Sequence, residues 1–298
     1  MNNLDFKYIN SIKTNYITSL SIFPLGNIIS VSNDKSIKIY DINFKIIQII
    51  QAAHNLRISS VNIKDENSFV TSSDDGSIKT WIKKTIKKEN KFYLNKIINY
   101  AHSICIYKVL FYLNENLISC SADGILKIWE ENDKTYECIT IFKNIDAIYS
   151  ILLIENKNIL ISSGGNGTRI WNVNNFELIK YINNAECYNN NALNKIDDDK
   201  IIIGGGYNNI IKVISIFEKK IIKEINNGFI CYGILIDEIM KLILIGGNCN
   251  KIKIYKSDNY ECVKIINIYD NWINGIIKLE NGLIVTYGGD KKMTFWSF

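Results

Sequence analysis

Apolar residues in this chain occur in short runs that alternate with polar positions and end at clusters of Asn, Asp and Gly. The clearest example is Ser119 to Trp129, which reads Ser-Cys-Ser-Ala-Asp-Gly-Ile-Leu-Lys-Ile-Trp and follows the run Asn116-Leu117-Ile118. Alternation with a period of two is typical of a half-buried strand, and an Asp-Gly pair between two such runs is typical of a turn, because Gly tolerates a positive φ. This stretch therefore predicts a β-hairpin that ends on an aromatic residue.

The same hairpin pattern recurs along the whole sequence. Further copies are Val31–Asp41, Ser72–Trp81, Ser162–Trp171, Gly246–Tyr255 and Gly288–Trp296, with a more divergent copy at Gly204–Ile214. The seven copies close 41 to 48 residues apart, at Tyr40, Trp81, Trp129, Trp171, Ile214, Tyr255 and Trp296. A repeat of about 40–45 residues with four strands per unit is the spacing of propeller blades, whereas kelch repeats are about 50 residues long. The sequence predicts an all-β fold, a seven-bladed β-propeller of four-stranded antiparallel blades.

Individual positions within the repeats carry a family resemblance. Ala53-His54 and Ala101-His102 stand where the WD-repeat pattern has Gly-His, and Tyr40-Asp41 comes nearest to its closing Trp-Asp. Turn aspartates lie six positions before a closing aromatic at Asp34, Asp75, Asp123 and Asp290. On these positions the chain resembles the WD-repeat β-propeller family. The resemblance implies a fold, but no particular function.

We expect a single domain over residues 1–298. The predicted blades are 17–50, 54–98, 102–142, 147–182, 188–225, 230–266 and 273–298 together with 5–12. Residues 5–12 resemble the fourth strands of later blades but precede the first complete repeat, and the last repeat stops after its third strand. The N-terminal strand, with Phe6 to Ile12, is therefore predicted to complete blade seven and close the ring, which removes two open sheet edges.

The resemblance also implies a hydrogen-bonded set in two blades, which joins a loop His, a turn Asp, a second-strand hydroxyl and a third-strand Trp. In blade two the set is His54, Asp75, Thr71 or Ser73, and Trp81; in blade three it is His102, Asp123, Ser119 or Ser121, and Trp129. The other blades lack the His, and their hairpins are predicted to rely on packing alone. Ser, His and Asp also form catalytic triads. The set occurs twice, ends on a Trp donor and has no Gly-x-Ser-x-Gly beside it, so we expect a structural role.

A second group of residues aligns near the first strands and the hairpin turns, where the loops of a propeller emerge on one face. The members predicted to contact a partner are Tyr16, Arg57, Asp74, Tyr107, Tyr149, Tyr188, Tyr207 and Trp272. Tyr, Trp and Arg are the residues most enriched at binding hot spots. Trp272 is the leading candidate, because it is the only Trp outside the third-strand positions. The alternative is that Trp272 and Tyr188 only pack between blades.

Blade two contains the one long insertion, between its third and fourth strands. It is predicted to be a loop that carries Lys83, Lys84, Lys87, Lys88 and Lys91. Such a loop is either a solvated charged segment or a docking site for a phosphate-rich ligand, such as RNA or a phosphoinositide. No aromatic residue precedes Phe92 in this segment, which weakens the nucleic-acid interpretation because single-stranded bases stack on aromatic rings.

Composition narrows the class of protein further. The net charge of +5 is too small to indicate nucleic-acid binding by itself. The seven cysteines form no Cys-x-x-Cys pair, which favours small buried side chains in a reducing compartment over a metal or redox site. The first residues lack the apolar region of a signal peptide, and no apolar run has the roughly 18 residues of a membrane helix.

Together these features predict a non-catalytic scaffold or adaptor that presents a propeller face to a protein or peptide partner within a multi-subunit complex. We expect it to be intracellular, in the cytoplasm or the nucleus, with no cofactor, no metal and no membrane span. The alternative function is binding of RNA or a phosphoinositide through the lysines of blade two.

Overall fold

The computed structural model describes residues 6–113, 115–143, 146–204, 206–268 and 271–297. Within these residues the regular structure consists of 28 β-strands and one turn of 3₁₀ helix at Glu155–Lys157. The strands are short because Asn, Asp and Gly clusters interrupt the apolar runs, and each cluster forms a turn.

The strands group into seven sheets in chain order. The first three sheets are β2 (Ile17–Ile22), β3 (Ile28–Ser32), β4 (Ile37–Tyr40) and β5 (Ile46–Ile50); β6 (Ile58–Asp65), β7 (Ser68–Ser73), β8 (Ile78–Ile86) and β9 (Glu89–Ile98); and β10 (Ile106–Tyr112), β11 (Asn116–Ser121), β12 (Ile125–Glu131) and β13 (Tyr136–Lys143). The next two are β14 (Ile148–Ile154), β15 (Ile159–Gly164), β16 (Gly167–Asn172) and β17 (Leu178–Ile182); and β18 (Leu193–Lys195), β19 (Lys200–Gly204), β20 (Ile210–Ser215) and β21 (Lys220–Asn226). The last two are β22 (Cys231–Asp237), β23 (Leu242–Gly247), β24 (Cys249–Lys256) and β25 (Cys262–Asn267); and β26 (Ile273–Lys278), β27 (Ile284–Gly288), β28 (Lys292–Ser297) and β1 (Lys7–Lys13).

Each sheet is one blade of a β-propeller, and the predicted fold class is confirmed: the seven blades each contain four antiparallel strands. The second strand of a blade is paired on both sides, so it is almost wholly buried, as in β3 and β23. The fourth strand is an end strand and is largely exposed, as in β5 and β17. Edge position alone does not produce this gradient, because the first strand is also an end strand and is mostly buried, as in β2.

The N-terminal strand completes blade seven, as predicted. β1 pairs antiparallel with β28, with Lys7 opposite Ser297 and Lys13 opposite Lys292. Phe6 stacks on the indole of Trp296 with ring centroids 5.2 Å apart. The predicted start of this strand, residue 5, and the predicted end of the blade, residue 298, lie outside the described residues.

A β-bulge recurs at the residue that closes each third strand. In the first six blades the register between third and fourth strands shifts directly before that residue, at Tyr40, Trp81, Trp129, Trp171, Ile214 and Tyr255. A bulge bends the strand locally and turns a side chain out of the regular alternation. The extra residue lies on the fourth strand, opposite the closing residue, as Ile47 does in blade one.

The chain divides into two compact units, which we call the central unit (Thr18–Ile151) and the terminal unit (Met1–Ile17 with Leu152–Phe298). In the central unit Phe69 lies at the middle of an aromatic core, stacked on Trp81 at 5.9 Å and edge-on to Phe92 at 5.0 Å. The terminal unit has a core dominated by buried isoleucines from β19, β20 and β23. Both cores are close-packed apolar clusters of the kind that stabilises a single layer of strands against its neighbour.

Candidate functional site

The side chains of blade two form one buried chain of hydrogen bonds. His54 is 1% exposed; its Nε2 lies 2.8 Å from Thr71 Oγ1 and its Nδ1 lies 2.9 Å from Ser77 Oγ. Trp81 Nε1 donates to the same Thr71 oxygen over 2.9 Å, and Ser77 Oγ donates to Asp75 Oδ1 over 2.6 Å. The donors therefore run in one direction, from Trp81 through Thr71, His54 and Ser77 to Asp75.

The turn that carries Asp75 is fixed by the same carboxylate. Asp75 accepts backbone N–H groups from Asn55 over 2.8 Å and from Ser77 over 2.9 Å. Gly76 has a φ of +75°, and a Cβ there would come within 2.6 Å of the His102 carbonyl oxygen. The Asp-Gly pair read from the sequence is therefore required here both by conformation and by the close approach of the next loop.

Blade three builds a shorter version of this chain. His102 is 2% exposed; its Nε2 lies 2.7 Å from Ser119 Oγ, which also accepts Trp129 Nε1 over 2.9 Å. His102 Nδ1 lies 3.0 Å from Asp123 Oδ2, with no hydroxyl between them. Ile125 stands where blade two has a serine, and only its backbone N–H reaches Asp123, over 2.9 Å.

The second-strand hydroxyl of each set is thereby assigned. Thr71 and Ser119 bond to the histidines, while the two alternatives serve the backbone. Ser73 Oγ donates to the Arg57 carbonyl over 2.9 Å, and Ser121 Oγ donates to the Cys105 carbonyl over 2.8 Å. The two hydroxyls of each strand therefore point to different partners, because they are two residues apart on a strand that bends at the hairpin.

Both histidines are held neutral. Burial lowers the pKa of His102 to about 4; the facing Asp123 carboxylate raises it and Lys127 lowers it, but burial dominates. Burial also lowers the pKa of His54 below its ordinary value. The hydrogen bonds agree with a neutral ring, since Nε2 accepts from Thr71 or Ser119 while Nδ1–H donates to Ser77 or Asp123.

Both aspartates are held ionised. Burial alone raises the pKa of Asp75, but the nearby His54 and the hydrogen bonds from the side chain and backbone of Ser77 outweigh it, so the pKa is lowered. The pKa of Asp123 is lowered in the same way, because burial is outweighed by the nearby His102 and the backbone N–H of Ile125. Each network therefore joins a neutral imidazole to a carboxylate, with every ring nitrogen satisfied.

Sequence reasoning missed a lysine that closes each of these loops. Lys79 Nζ donates to the Ala53 carbonyl over 2.7 Å, and Lys127 Nζ donates to the Ala101 carbonyl over 2.6 Å. Lys212 and Lys253 repeat this contact with the Asn184 and Asn227 carbonyls in blades five and six. The signal was present in the sequence, because a basic residue lies two positions before the closing residue in six blades: Lys38, Lys79, Lys127, Arg169, Lys212 and Lys253.

The expectation that the other blades rely on packing alone is wrong for three of them. Trp171 Nε1 donates to Ser162 Oγ over 2.8 Å, and Trp296 Nε1 donates to Thr286 Oγ1 over 3.0 Å. In blade six Tyr255 Oη donates to Asn227 Oδ1 over 3.0 Å. The indole or phenol of the third strand still needs a partner when it is buried, and a neighbouring polar side chain supplies it without the histidine.

Four of the predicted partner-binding residues lie in the central unit, in two pairs. Arg57 forms a bidentate ion pair with Asp74, with Nε to Oδ2 at 2.7 Å and Nη2 to Oδ1 at 3.2 Å. Tyr107 and Tyr149 stack with ring centroids 4.6 Å apart. Burial raises the pKa of Tyr107 to about 12, with smaller contributions from Tyr149 and Cys105, so its hydroxyl stays protonated.

The other four lie in the terminal unit. Trp272 is 40% exposed, its ring centroid is 6.2 Å from that of Tyr16, and its Nε1 donates to the Tyr16 hydroxyl over 3.2 Å. The Tyr16 hydroxyl in turn donates to Asn274 Oδ1 over 3.2 Å. Tyr188 and Tyr207 form a second pair, with ring centroids 5.2 Å apart and Tyr207 81% exposed.

Tyr232 lies near one ring of each of these two pairs and was missed from the sequence. Burial raises its pKa, and the nearby Tyr16 and Tyr207 hydroxyls raise it further. Like Tyr107 and Tyr149, it is the second residue of a first strand, so the alignment that selected those two also selects it. We call Tyr16, Tyr188, Tyr207, Tyr232 and Trp272 the aromatic surface.

Two glycines lie against rings of this surface. A Cβ on Gly289 would lie 2.6 Å from Cε2 of Trp272, and a Cβ on Gly206 would collide with the ring of Tyr188. Each ring therefore lies flat against backbone that only glycine leaves open. These glycines therefore have a packing role.

The basic segment of blade two is a hairpin, which corrects the predicted loop. Lys83 and Lys84 lie in β8, Lys91 lies in β9, and only Lys87 and Lys88 form the turn, with φ of 51° and 68°. Strand pairing continues to Ile86 opposite Glu89, and the two-residue turn, with both residues at positive φ, fits the twist of paired strands.

The lysines of this hairpin are not equivalent. Lys83 is partly buried over the ring of Phe92, 5.2 Å from its centroid, and its Nζ lies 3.7 Å from Glu66 Oε2. Lys91 forms an ion pair with Glu89 and stands opposite Lys84 in the ladder. Lys84, Lys87 and Lys88 are exposed.

The model of the WD domain, G-beta repeat family matches residues 6–41, 45–81 and 95–130. Each match ends at or next to a closing aromatic of blades one to three. No curated protein matches the chain. Three matched repeats and seven four-stranded blades are consistent with a WD-repeat β-propeller protein.

The described part of the chain contains no helix with the length and apolar character to cross a membrane. Among the same residues, no group of three or more His, Cys, Asp or Glu side chains is placed to hold a metal ion. All seven cysteines are free thiols.

Proposed function

We propose that this chain is a non-catalytic interaction scaffold that binds a protein or peptide through the aromatic surface. The observation that carries the proposal is the state of Trp272. One face of its indole lies on Gly289 and its N–H is bonded to Tyr16, yet 40% of the side chain is exposed. A large ring held rigid and open to solvent is pre-organised for binding, because little side-chain entropy is lost when a partner covers it.

The surroundings of Trp272 suit a peptide rather than a flat surface. It borders a cavity of about 230 Å³, whose walls also include Tyr8, Asp290 and Lys292. The cavity is the size of one large side chain and has acidic and basic groups beside aromatic rings. Pockets next to exposed aromatic anchors are the usual location of hot-spot contacts.

A non-catalytic role follows from the use of the histidines. His54 and His102 are buried, neutral and bonded at both ring nitrogens, so neither is presented to a substrate. The free cysteines suit a reducing compartment, and an intracellular location in the cytoplasm or nucleus is part of the proposal. A scaffold of this kind acts within a complex, whose other members supply any chemistry.

The alternative function, a phosphate-rich ligand on the blade-two hairpin, has less support. Lys83 and Lys91 are engaged by Glu66, Phe92 and Glu89. A phosphate site then depends on the three exposed lysines around the turn. Binding through them would weaken steeply with salt, whereas binding to the aromatic surface would change little.

Affinity capture with the intact protein tests the proposal. Trp272→Ala should lose the specific partner, because it removes the anchor while leaving the blade-seven bond between Trp296 and Thr286 in place. Phe217→Ala is the matched control, since Phe217 is an exposed aromatic, 86% accessible, outside the aromatic surface. Melting curves of both variants establish that each is folded.

Partners that are captured by the wild type and by Phe217→Ala, survive about 0.5 M salt and are lost with Trp272→Ala support the proposal. Capture that is unchanged by Trp272→Ala overturns the assignment of the surface. Capture that disappears at high salt and with Lys84→Ala, Lys87→Ala and Lys88→Ala combined supports the hairpin instead.

A further inference from the structure

The fourth strand of blade one is an apolar end strand. β5 reads Ile-Ile-Gln-Ile-Ile and is the last strand of its sheet. Ile46, Ile47 and Ile49 are 43%, 47% and 45% exposed. Within the described residues no strand pairs with its outer edge, so its outward backbone groups and these side chains face solvent.

β5 differs from the equivalent strand of every other blade in lacking charge. Each of the other six fourth strands contains at least one Lys or Glu: Lys7 in β1, Lys91 in β9, Glu137 in β13, Lys180 in β17, Lys223 in β21 and Lys264 in β25. Charged residues on an end strand prevent it from pairing with another chain. β5 is therefore the one fourth strand without this protection.

The order of residues in β5 favours a second copy of the same strand as its partner. Ile46-Ile47-Gln48-Ile49-Ile50 reads the same in both directions, so an antiparallel copy centred on Gln48 places Ile47 opposite Ile49 twice. Both side chains are exposed, at 47% and 45%; Ile47 is the extra residue of the bulge, without a direct partner in β4, and Ile49 stands opposite Lys38. A twofold axis through Gln48 would thus bring four exposed isoleucines together, and a twofold interface needs a self-complementary surface of this kind.

Charge is compatible with the same register. Lys45 directly precedes β5 and would lie opposite Gln51, so no charged residue meets its like across the axis. The Gln48 side chain is already satisfied within its own chain: it donates to the Phe92 carbonyl and accepts the Phe92 N–H, both over 2.8 Å. No buried amide is left without a partner at the centre of the interface.

We propose that β5 is the interface of a symmetric dimer, in which blade one of each copy joins its partner through an antiparallel β5–β5 ladder centred on Gln48. The ladder turns two four-stranded sheets into one sheet of eight strands. The contact is small, so the expected dissociation constant is about micromolar or weaker.

Sedimentation of the full chain from about 1 μM to about 500 μM tests this, with a monomer–dimer equilibrium as the expected result. Two double variants test the register. The first is Ile47→Glu with Ile49→Glu, and the second is Ile47→Lys with Ile49→Glu. Residue 49 lies beside Lys38 in the sheet, so Glu at that position has the same neighbour in both variants, and the two differ only at position 47.

In the dimer, the first variant places Glu opposite Glu and should weaken association at least about tenfold. The second places Lys opposite Glu and should restore association relative to the first. A matched pair of substitutions on β13, Ile139→Glu with Ile141→Glu, replaces isoleucines that are 46% and 52% exposed and should leave the dimer unchanged. Melting curves verify that all variants are folded.

A wild-type chain that remains monomeric over the whole range overturns the proposal. So does an assembly larger than a dimer, or a dimer that persists with Glu at both positions. Equal association of the two double variants overturns the register centred on Gln48. Loss of the dimer in the β13 variant places the interface elsewhere.

Discussion

Blades two and three both connect a buried histidine to a turn aspartate, and the two connections differ at one residue. In blade two the Ser77 hydroxyl lies between imidazole and carboxylate, and His54 Nδ1 is 3.5 Å from Asp75 Oδ2. In blade three Ile125 takes that position, and His102 Nδ1 contacts Asp123 directly at 3.0 Å. The rest of the chain, from Trp through hydroxyl to His, has matching distances in both blades.

The difference shows how much of such a network the repeat dictates. The bond from Trp to hydroxyl to His spans paired strands and one loop, so the ladder fixes its geometry. The bond from His to Asp depends on a turn, where a hydroxyl two residues after the aspartate can be inserted or omitted. With the hydroxyl inserted, the histidine and the aspartate each bond to it instead of to each other. Removal of the aspartate should therefore lower the free energy of unfolding by different amounts in the two blades.

The largest expected effect is a fall in the free energy of unfolding at acid pH. A histidine whose pKa is lowered by folding binds its proton more readily in the unfolded chain, so the free energy of unfolding falls as the pH drops from 6.5 to about 4 for His102. The stability contributed by Asp75 and Asp123, whose pKa values are lowered from 3.8, is present above that pH and lost below it. Both contributions act in the same direction, and urea unfolding at a series of pH values measures their sum.

Nuclear magnetic resonance can separate the two blades, because the chain has only two histidines. Both ring signals should titrate below 6.5, with His102 near pH 4, and His54→Gln assigns them by removing one signal. A signal that titrates at or above 6.5 would show that its ring is not held neutral in the folded protein.

Removal of each carboxylate is the next largest effect. Asp123→Ala leaves His102 Nδ1–H without its acceptor and should lower the free energy of unfolding by about 3 kcal/mol. Asp75→Ala should cost about 1–2 kcal/mol, since His54 keeps the Ser77 oxygen. The comparison is made by urea unfolding at pH 7, and equal losses in the two variants would mean that the inserted hydroxyl has no effect.

Ser77→Ala is the smallest and most direct test. It removes the inserted hydroxyl and should cost about 1 kcal/mol, because Asp75 lies close enough to His54 for a small movement to restore contact. Ser36→Ala in blade one is a matched control: Ser36 Oγ also donates to a turn aspartate, Asp34, over 2.7 Å, but no histidine stands behind it. A smaller loss in the control than in Ser77→Ala supports a role through the imidazole.

The fold could be predicted from the sequence because repetition supplied seven independent readings of one hairpin. Errors in a single copy, such as the divergent strand that ends at Ile214, did not matter once the spacing was known. The pairing of β1 with β28 followed from a count of strands at the two ends of the repeat series. The pairing of two strands far apart in the sequence could thus be predicted from the repeat count alone.

The contacts within the candidate site were harder to predict from the sequence, for two physical reasons. Ser77 is an ordinary turn residue in sequence, and only the turn geometry brings its hydroxyl between His54 and Asp75. The lysines of blade two resemble a loop by composition, but the ladder between β8 and β9 continues through them to Ile86 opposite Glu89. Residue type alone identified neither contact.

The pairing of β1 with β28 also has a consequence for synthesis on the ribosome. Ser297, the partner of Lys7, is made 290 residues after it. At about 5–20 residues per second, that strand waits roughly 15 to 60 s for its neighbour. During that interval the nascent chain holds an unpaired strand, so blade seven can be completed only after the other six blades have been made.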